Sequence, residues 1–379
     1  MSMQAFDKPI YVTRPYLPDL RKYQDGVAEI WKNQWLTNNG PVHQRYVKNL
    51  EAFFGTDNLC VYTNGTLALQ IALQGMGITG EVITTPFTFV ATAHCLCWNG
   101  AAPVFVDIDP VTYTLDPAAV EAAITPRTTA ILAVHVFGNP CHLDALQRIA
   151  DKHGLALVYD AAHAFGVEVG GTPIGFFGDC SMFSLHSTKL YHAIEGGILV
   201  FRNPELKQVF AYLRNFGFRG ETEVMMVGTN AKMTEMQALM GDLILSDLPA
   251  IIAKRKTLTE AYCACLSDVP GLDAHALTTP LRQQAYTPNF AYAPIEIREG
   301  FPLTRDALYE RLKTFNVFSR RYFYPLLTDF ACYRGKVTAG DLTVAKRVAD
   351  GILTLPIYYD LEVDDVCRIC KMIKSVARD

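Results

Sequence analysis

The sequence predicts an α/β fold, a mostly parallel sheet sandwiched by helices, with a smaller α+β domain at the C-terminal end. Three observations predict it. From residue 59 short apolar runs alternate with helical stretches, the order that crossover-connected parallel strands produce. The runs are continuously apolar rather than alternating, as strands covered on both faces must be. A chain of 379 residues, half of them hydrophobic, is also too long for one small core and is expected to divide in two.

The elements follow in order. "NLCVYT" (58–63) is a strand that leads into the helix "NGTLALQIALQGMGI". "EVITTP" (81–86) leads into the helical "FTFVATAHCLCWNG", and "APVFVDID" (102–109) into "DPAAVEAAI". The strand "TTAILAVHVFG", the helix "LDALQRIADKHG" and the strand "LALVYD" (155–160) complete the alternation. "FGDCSMFSLH" (177–186) and "GGILVFRN" (196–203) then read as paired strands around one loop, followed by the helical "PELKQVFAYLRNFG". Residues 228–256, "GTNAKMTEMQALMGDLILSDLPAIIAKRK", read as long helices that close the large domain. Beyond them "HALTTPLRQQAYTPNFAYAPIEIREG" and "TRDALYERLKTFNVFSRRYFYPL" mix strands with one helix. The expected division is therefore 1–255, a large domain that includes the N-terminal segment, and 256–379, a small α+β domain.

A net charge of −4 argues against nucleic acid or an anionic membrane as the main partner. No run of eighteen apolar residues occurs, and "MSMQAFDKPIYVTRPYLPDL" lacks the apolar centre of a signal peptide; a cytoplasmic protein is expected. The ten cysteines lie mostly in apolar runs, and the single Cys-x-x-Cys pair, Cys367 and Cys370, has no second pair or nearby histidine. A structural zinc needs four ligands, so reduced thiols and no metal are expected.

Ligands of open parallel sheets collect beyond the carboxyl ends of the strands, and four features stand there. "TNGT" places Gly65 and Thr66 at a helix N-terminus, which is either an anion site for a phosphate or a plain Asn-Gly turn with a capping threonine. Asp160 ends a buried strand, with His163 three residues on; it either caps the next helix or meets a positive partner. Phe87 and Phe89 follow another strand end, as core aromatics or as a plate for a flat ring. Ser184 and Lys189 lie in "FSLHSTKLYHAIEGG" (183–197), where the lysine either snorkels outward or, desolvated, serves as base or imine-forming nucleophile. There is no Walker motif and no GxGxxG, so neither a nucleoside triphosphate nor a dinucleotide is indicated. Phosphate site, aromatic plate, buried aspartate and lysine together form a cradle for pyridoxal 5′-phosphate, whose ring nitrogen a carboxylate keeps protonated.

The same stretches carry a family resemblance. "WLTNNGPVHQRYVKNLEAFFG", "TNGTLAL", "EVITTPFTFVATA", "GAAPVFVDID", "VYDAAHAFG", "GDCSMFSLHSTKLYHAIEGG" and "GTNAKMTEMQA" cover most of residues 30–240 in family order. They resemble the fold-type I pyridoxal-phosphate enzymes, and within them the DegT/DnrJ/StrS sugar-nucleotide aminotransferases. "RYFYPL" extends the resemblance into the small domain. It implies that Lys189 forms the imine with the cofactor and that Asp160 pairs with the ring nitrogen. By the same implication His163 would contact the 3-hydroxyl, Phe89 rather than Phe87 would stack on the ring, and Gly65, Thr66 and Ser184 would hold the phosphate. The resemblance further implies that Asn230 reaches the phosphate of the partner subunit in a homodimer with shared sites. The resemblance also offers Tyr324 as a substrate contact, although the histidine usual after "YPL" is replaced by Leu327. Many relatives carry glutamine at position 163, and some carry histidine at position 189 and act as dehydratases, so Lys189 argues for transamination.

"LTNNGP", "NGTLAL", "ITGEVITTP", "YDAAHAFG" and "NFGF" are similar to members that form dTDP-4-amino-4,6-dideoxyglucose. The resemblance thus implies transfer from L-glutamate, leaving as 2-oxoglutarate, to a nucleotide-linked 4-keto-6-deoxy sugar, for surface polysaccharide such as O-antigen or other glycans. A 3-keto sugar-nucleotide aminotransferase and a cofactor-binding regulator are the alternatives; intact Lys189 and Asp160 oppose the second.

Overall fold

The computed structural model describes residues 4–37, 39–274 and 286–376. The strands that build its cores are β1 Leu59–Tyr62, β2 Glu81–Thr84, β3 Ala102–Phe105, β4 Thr128–Val134, β5 Ala156–Asp160, β6 Cys180–Ser184, β7 Gly197–Phe201, β8 Leu272–Asp273, β9 Ala293–Ile297, β10 Thr338–Ala339 and β11 Ile352–Leu355. The helices are α1 Leu20–Asn33, α2 Pro41–Phe54, α3 Gly65–Gly75, α4 Val90–Trp98, α5 Pro117–Ala122, α6 Leu143–His153, α7 Leu206–Leu213, α8 Glu235–Leu266, α9 Arg305–Thr314, α10 Thr343–Gly351 and α11 Val363–Val376.

An eight-stranded sheet runs in the order β10-β3-β2-β4-β5-β6-β7-β1. Only β7 runs against its neighbours in it. Strand periodicity sorts the side chains. Leu59, Val61, Ile131, Ala133, Leu157, Tyr159, Ile198 and Val200 face α2, α6 and α8. Cys60, Tyr62, Ala130, Leu132, Val158, Met182, Leu199 and Phe201 face α3, α4 and α7. Both faces are dry, which is why these strands are apolar throughout. A second core gathers α9, α11, β9, β11 and the C-terminal part of α8.

The region expected to hold several long helices holds α8, one helix of 32 residues that runs through Pro249. It is long and apolar enough by composition to cross a membrane, yet Leu239, Ile244, Leu248 and Ile251 pack in the first core and Leu258, Tyr262 and Leu266 in the second. The expected division after residue 255 falls inside this helix. Phe6 and Ile10, expected with the large domain, pack in the second core, and Ile10–Tyr11 pairs in parallel with Val317–Phe318. All ten cysteines are free, and no metal-binding group of His, Cys, Asp or Glu occurs among the described residues.

Register aligns one edge of the sheet. Asp160 pairs with Val134 and with Met182, and Gly197 pairs with Ser184 and with Tyr62. The end of β1, the end of β5, the end of β6 and the start of β7 therefore open onto the same place.

Candidate active site

That edge borders a cavity of about 780 Å³ lined by Gly65, Thr66, Phe89, Asp160, His163, Ser184 and Lys189, among others. These seven were singled out from four separate stretches of sequence, and the fold brings them together. Phe87 is buried against Tyr113, Phe137 and Phe323, whereas Phe89, at the N-cap of α4, is 60% exposed in the cavity wall.

The anion end follows from helix capping. The Asn64 side chain accepts from Leu67 N–H at 2.8 Å, so it satisfies one of the first free donors of α3. The N–H groups of Gly65 and Thr66, and the hydroxyls of Thr66 and Ser184, have no hydrogen-bond partner among the described residues. Glycine is required here for close approach: a Cβ at Gly65 would lie 3.0 Å from Ser184 Cβ, and one at Gly197 would lie 2.5 Å from the Asn64 carbonyl oxygen.

Asp160 is buried and continues the Val158 face of β5, which points it towards α4. Its Oδ2 accepts from the Thr92 hydroxyl at 2.8 Å and its Oδ1 from Ala162 N–H at 3.1 Å. Burial raises its pKa above the usual carboxylate range, while the Thr92 and Ala162 bonds and the charge of Lys189 pull it back. His163 is also buried, and burial together with the nearby lysine holds its pKa well below the ordinary imidazole value. Its Nδ1 accepts from Phe137 N–H at 3.1 Å, so the ring is neutral and carries its proton on Nε2 as a donor. Phe137 presents that N–H from a left-handed φ of 57°. Lys189 stands on the β6–β7 loop with Nζ 3.3 Å from the Tyr292 hydroxyl. Burial lowers its pKa, against the opposing charge of Asp160 and the influence of Tyr322.

This donor set fits pyridoxal phosphate. Free N–H groups and hydroxyls suit a phosphate, the carboxylate suits a ring nitrogen, the Nε2–H suits a phenolic oxygen, and the amine suits an aldehyde.

The two remaining residues lie elsewhere. Asn230 is exposed, bridges Asn215 and accepts from Lys232 Nζ at 2.7 Å. Tyr324 does not line the cavity: its ring lies under the guanidiniums of Arg305 at 4.3 Å and Arg321 at 5.5 Å, while its neighbours Tyr322 and Phe323 face inward. Sequence reasoning did not single out Thr92, Tyr292 or Gln237. Thr92 could have been found as the third residue of the helix facing Asp160. Tyr292 carries no motif; it precedes a short strand whose path only the fold reveals. Gln237 completes the capping box of α8 with Thr234 and also donates to the carbonyls of Thr63 (3.0 Å) and Glu195 (2.8 Å), tying the phosphate-side loop to the lysine loop.

Comparison with known proteins agrees with this geometry. The model of the DegT/DnrJ/EryC1/StrS aminotransferase family matches residues 20–374. The dTDP-4-amino-4,6-dideoxy-D-glucose transaminase of Shigella dysenteriae is 42% identical over 98% of this chain and 100% of its own length. That of Escherichia coli is 42% identical over 97% of this chain and 98% of its own. Among solved structures, DesI in the presence of its TDP-sugar product superposes with a TM-score of 0.92 at 38% identity, covering 99% of this chain and 94% of that one.

Proposed function

This chain is a member of the DegT/DnrJ/EryC1/StrS aminotransferase family, and from that membership we propose that it moves an amino group from L-glutamate to the 4-keto carbon of dTDP-4-keto-6-deoxyglucose. It is a pyridoxal-phosphate-dependent aminotransferase. The observation that carries the substrate reading is near-full-length similarity to two transaminases named for the 4-amino-4,6-dideoxyglucose product. The product would be a 4-amino-4,6-dideoxy sugar for surface polysaccharide, such as O-antigen, or other glycans, made in the cytoplasm.

Pyridoxal phosphate, when bound, supplies an electron sink for negative charge developing on the substrate carbon. The protein's residues would do the rest. The Gly65 and Thr66 N–H groups, with the Ser184 hydroxyl, hold the phosphate on the N-terminus of α3. Asp160, oriented by Thr92 and Ala162, keeps the ring nitrogen protonated, His163 donates from Nε2 to the ring oxygen, and Phe89 covers one ring face. Lys189 holds the cofactor through its amine. Its Nζ, tethered within reach as a base of lowered pKa, would take the proton from the α-carbon of the donor. Asn230 would enter the site of a second subunit. Supporting that dimer, Phe216, Phe218, Val224, Met225 and Val227 are exposed apolar side chains in the segment leading to Asn230.

The test is optical. The purified protein with cofactor should be yellow, and L-glutamate should bleach the band until a 4-keto sugar nucleotide restores it. A protein that keeps its colour with glutamate is not this enzyme.

A further inference from the structure

Tyr292 is used by nothing above, yet its hydroxyl is the side-chain hydrogen-bond partner of Lys189 among the described residues. We propose that Tyr292 is a positioning residue that aims Lys189 Nζ and accepts a hydrogen bond from its ammonium form, so setting the pH at which the lysine gives up its proton. The inference rests on Lys189 being the base of the reaction proposed above.

Packing holds the phenol still. Its ring lies 4.4 Å from that of His163, 5.7 Å from Phe137 and 6.1 Å edge-on to Tyr322. Behind it, buried Arg255 donates from Nη1 to the carbonyl of Ala291 at 2.9 Å and leaves Nε without a partner, which anchors the residue preceding Tyr292. Burial and the charge of Asp160 keep the phenol protonated, with Arg255 opposing. It therefore stays neutral across the working range and offers its oxygen to the lysine.

The groups facing Lys189 are Asp160 from β5, neutral His163 from the loop after it, Tyr322 from the small-domain side and Tyr292 itself; His186 and Glu195 line the cavity further along the lysine loop. Of these, Asp160 favours the ammonium by charge, whereas burial keeps the Tyr322 phenol neutral. Tyr292 favours it by a charge-assisted hydrogen bond, the stronger class of such bonds. Losing that bond must shift the lysine towards the free base.

The experiment labels the full chain, freed of cofactor, with an amine-specific acylating reagent across neutral to alkaline pH and reads the Lys189 peptide by mass spectrometry. Tyr292→Phe keeps the ring and its contacts. The Lys189 midpoint should fall by about one pH unit, a tenfold change in the proton equilibrium. In the loaded enzyme the limb of the kcat profile should move the same way, with KM for glutamate unchanged. Replacing Tyr292 by 3-fluorotyrosine, a weaker acceptor of the same shape, should give an intermediate midpoint, and thermal denaturation identifies any variant that fails to fold. A midpoint that stays put or rises in both variants overturns the inference. Labelling needs no sugar, so failure of every keto-sugar substrate would sink the functional reading while leaving this result to stand or fall alone.

Discussion

Lys189 and Asp160 sit where burial opposes their charge, and each is held by specific partners rather than by solvent. Lys189→Ala should abolish turnover, and borohydride reduction of the wild type followed by peptide mapping should place the cofactor label on Lys189; a label on another lysine would assign the role elsewhere. Asp160→Asn keeps the shape but removes the charge, and a loss of tens- to hundreds-fold in rate is expected, about 2–4 kcal/mol. The same substitution has an opposite effect on the cofactor-free chain. The Asp160 carboxyl is raised above its unfolded value, so the folded state binds that proton more tightly. Stability is then lost as pH rises through the carboxylate range towards the folded pKa. Asp160→Asn should therefore raise the Tm of the cofactor-free chain at neutral pH but not in acid. An equal Tm at neutral pH would mean that the carboxylate is not strained there.

At the scale of elements, the lysine loop and the phosphate-side loop are locked to each other by backbone proximity and by one glutamine. A Cβ at Gly197 would meet the Asn64 carbonyl at 2.5 Å, which neither backbone can absorb without moving the start of α3. Gly197→Ala should cost about 1–3 kcal/mol in stability and weaken cofactor binding at least tenfold in an absorbance titration. Unchanged affinity would show that the loop adapts. Gln237→Ala removes half of the capping box together with its bonds to Thr63 and Glu195; about 1–2 kcal/mol is expected from the helix terminus.

Most of the elements were legible because both faces of the sheet are dry, so that continuous apolar runs mark its strands. The seven cavity residues were legible because Gly65, Thr66 and Phe89 stand at helix starts, Asp160 and Ser184 end strands, and His163 and Lys189 lie on the loops that follow those two strands. Three things were not. The length of α8 was hidden by Pro249, which reads as a break. Inclusion of Phe6 and Ile10 in the second core depends on pairing with residues some three hundred positions away, a contact no local pattern encodes. The side-chain direction of Tyr324 depended on which residues of "RYFYPL" turn inward, and Tyr322 and Phe323 do so while Tyr324 packs under arginines.

For the whole molecule, the proposed dimer builds each site from two chains. Asn230→Asp should bring a carboxylate towards the phosphate of the other subunit and weaken cofactor binding by repulsion, whereas Lys189→Ala disables its own site. Mixed under conditions of subunit exchange, the two inactive variants should regain activity, because each mixed dimer holds one intact site. If mixed dimers are shown to form and activity stays at the parental background, Asn230 does not act across the interface.

The substrate claim is tested most directly by following the nitrogen. With ¹⁵N-glutamate, dTDP-4-keto-6-deoxyglucose and the loaded enzyme, NMR of the product should show the label bonded to C4 of a 4-amino-4,6-dideoxy sugar, in step with formation of 2-oxoglutarate. Label at C3 of a 3-keto isomer, with the 4-keto sugar untouched, would contradict it.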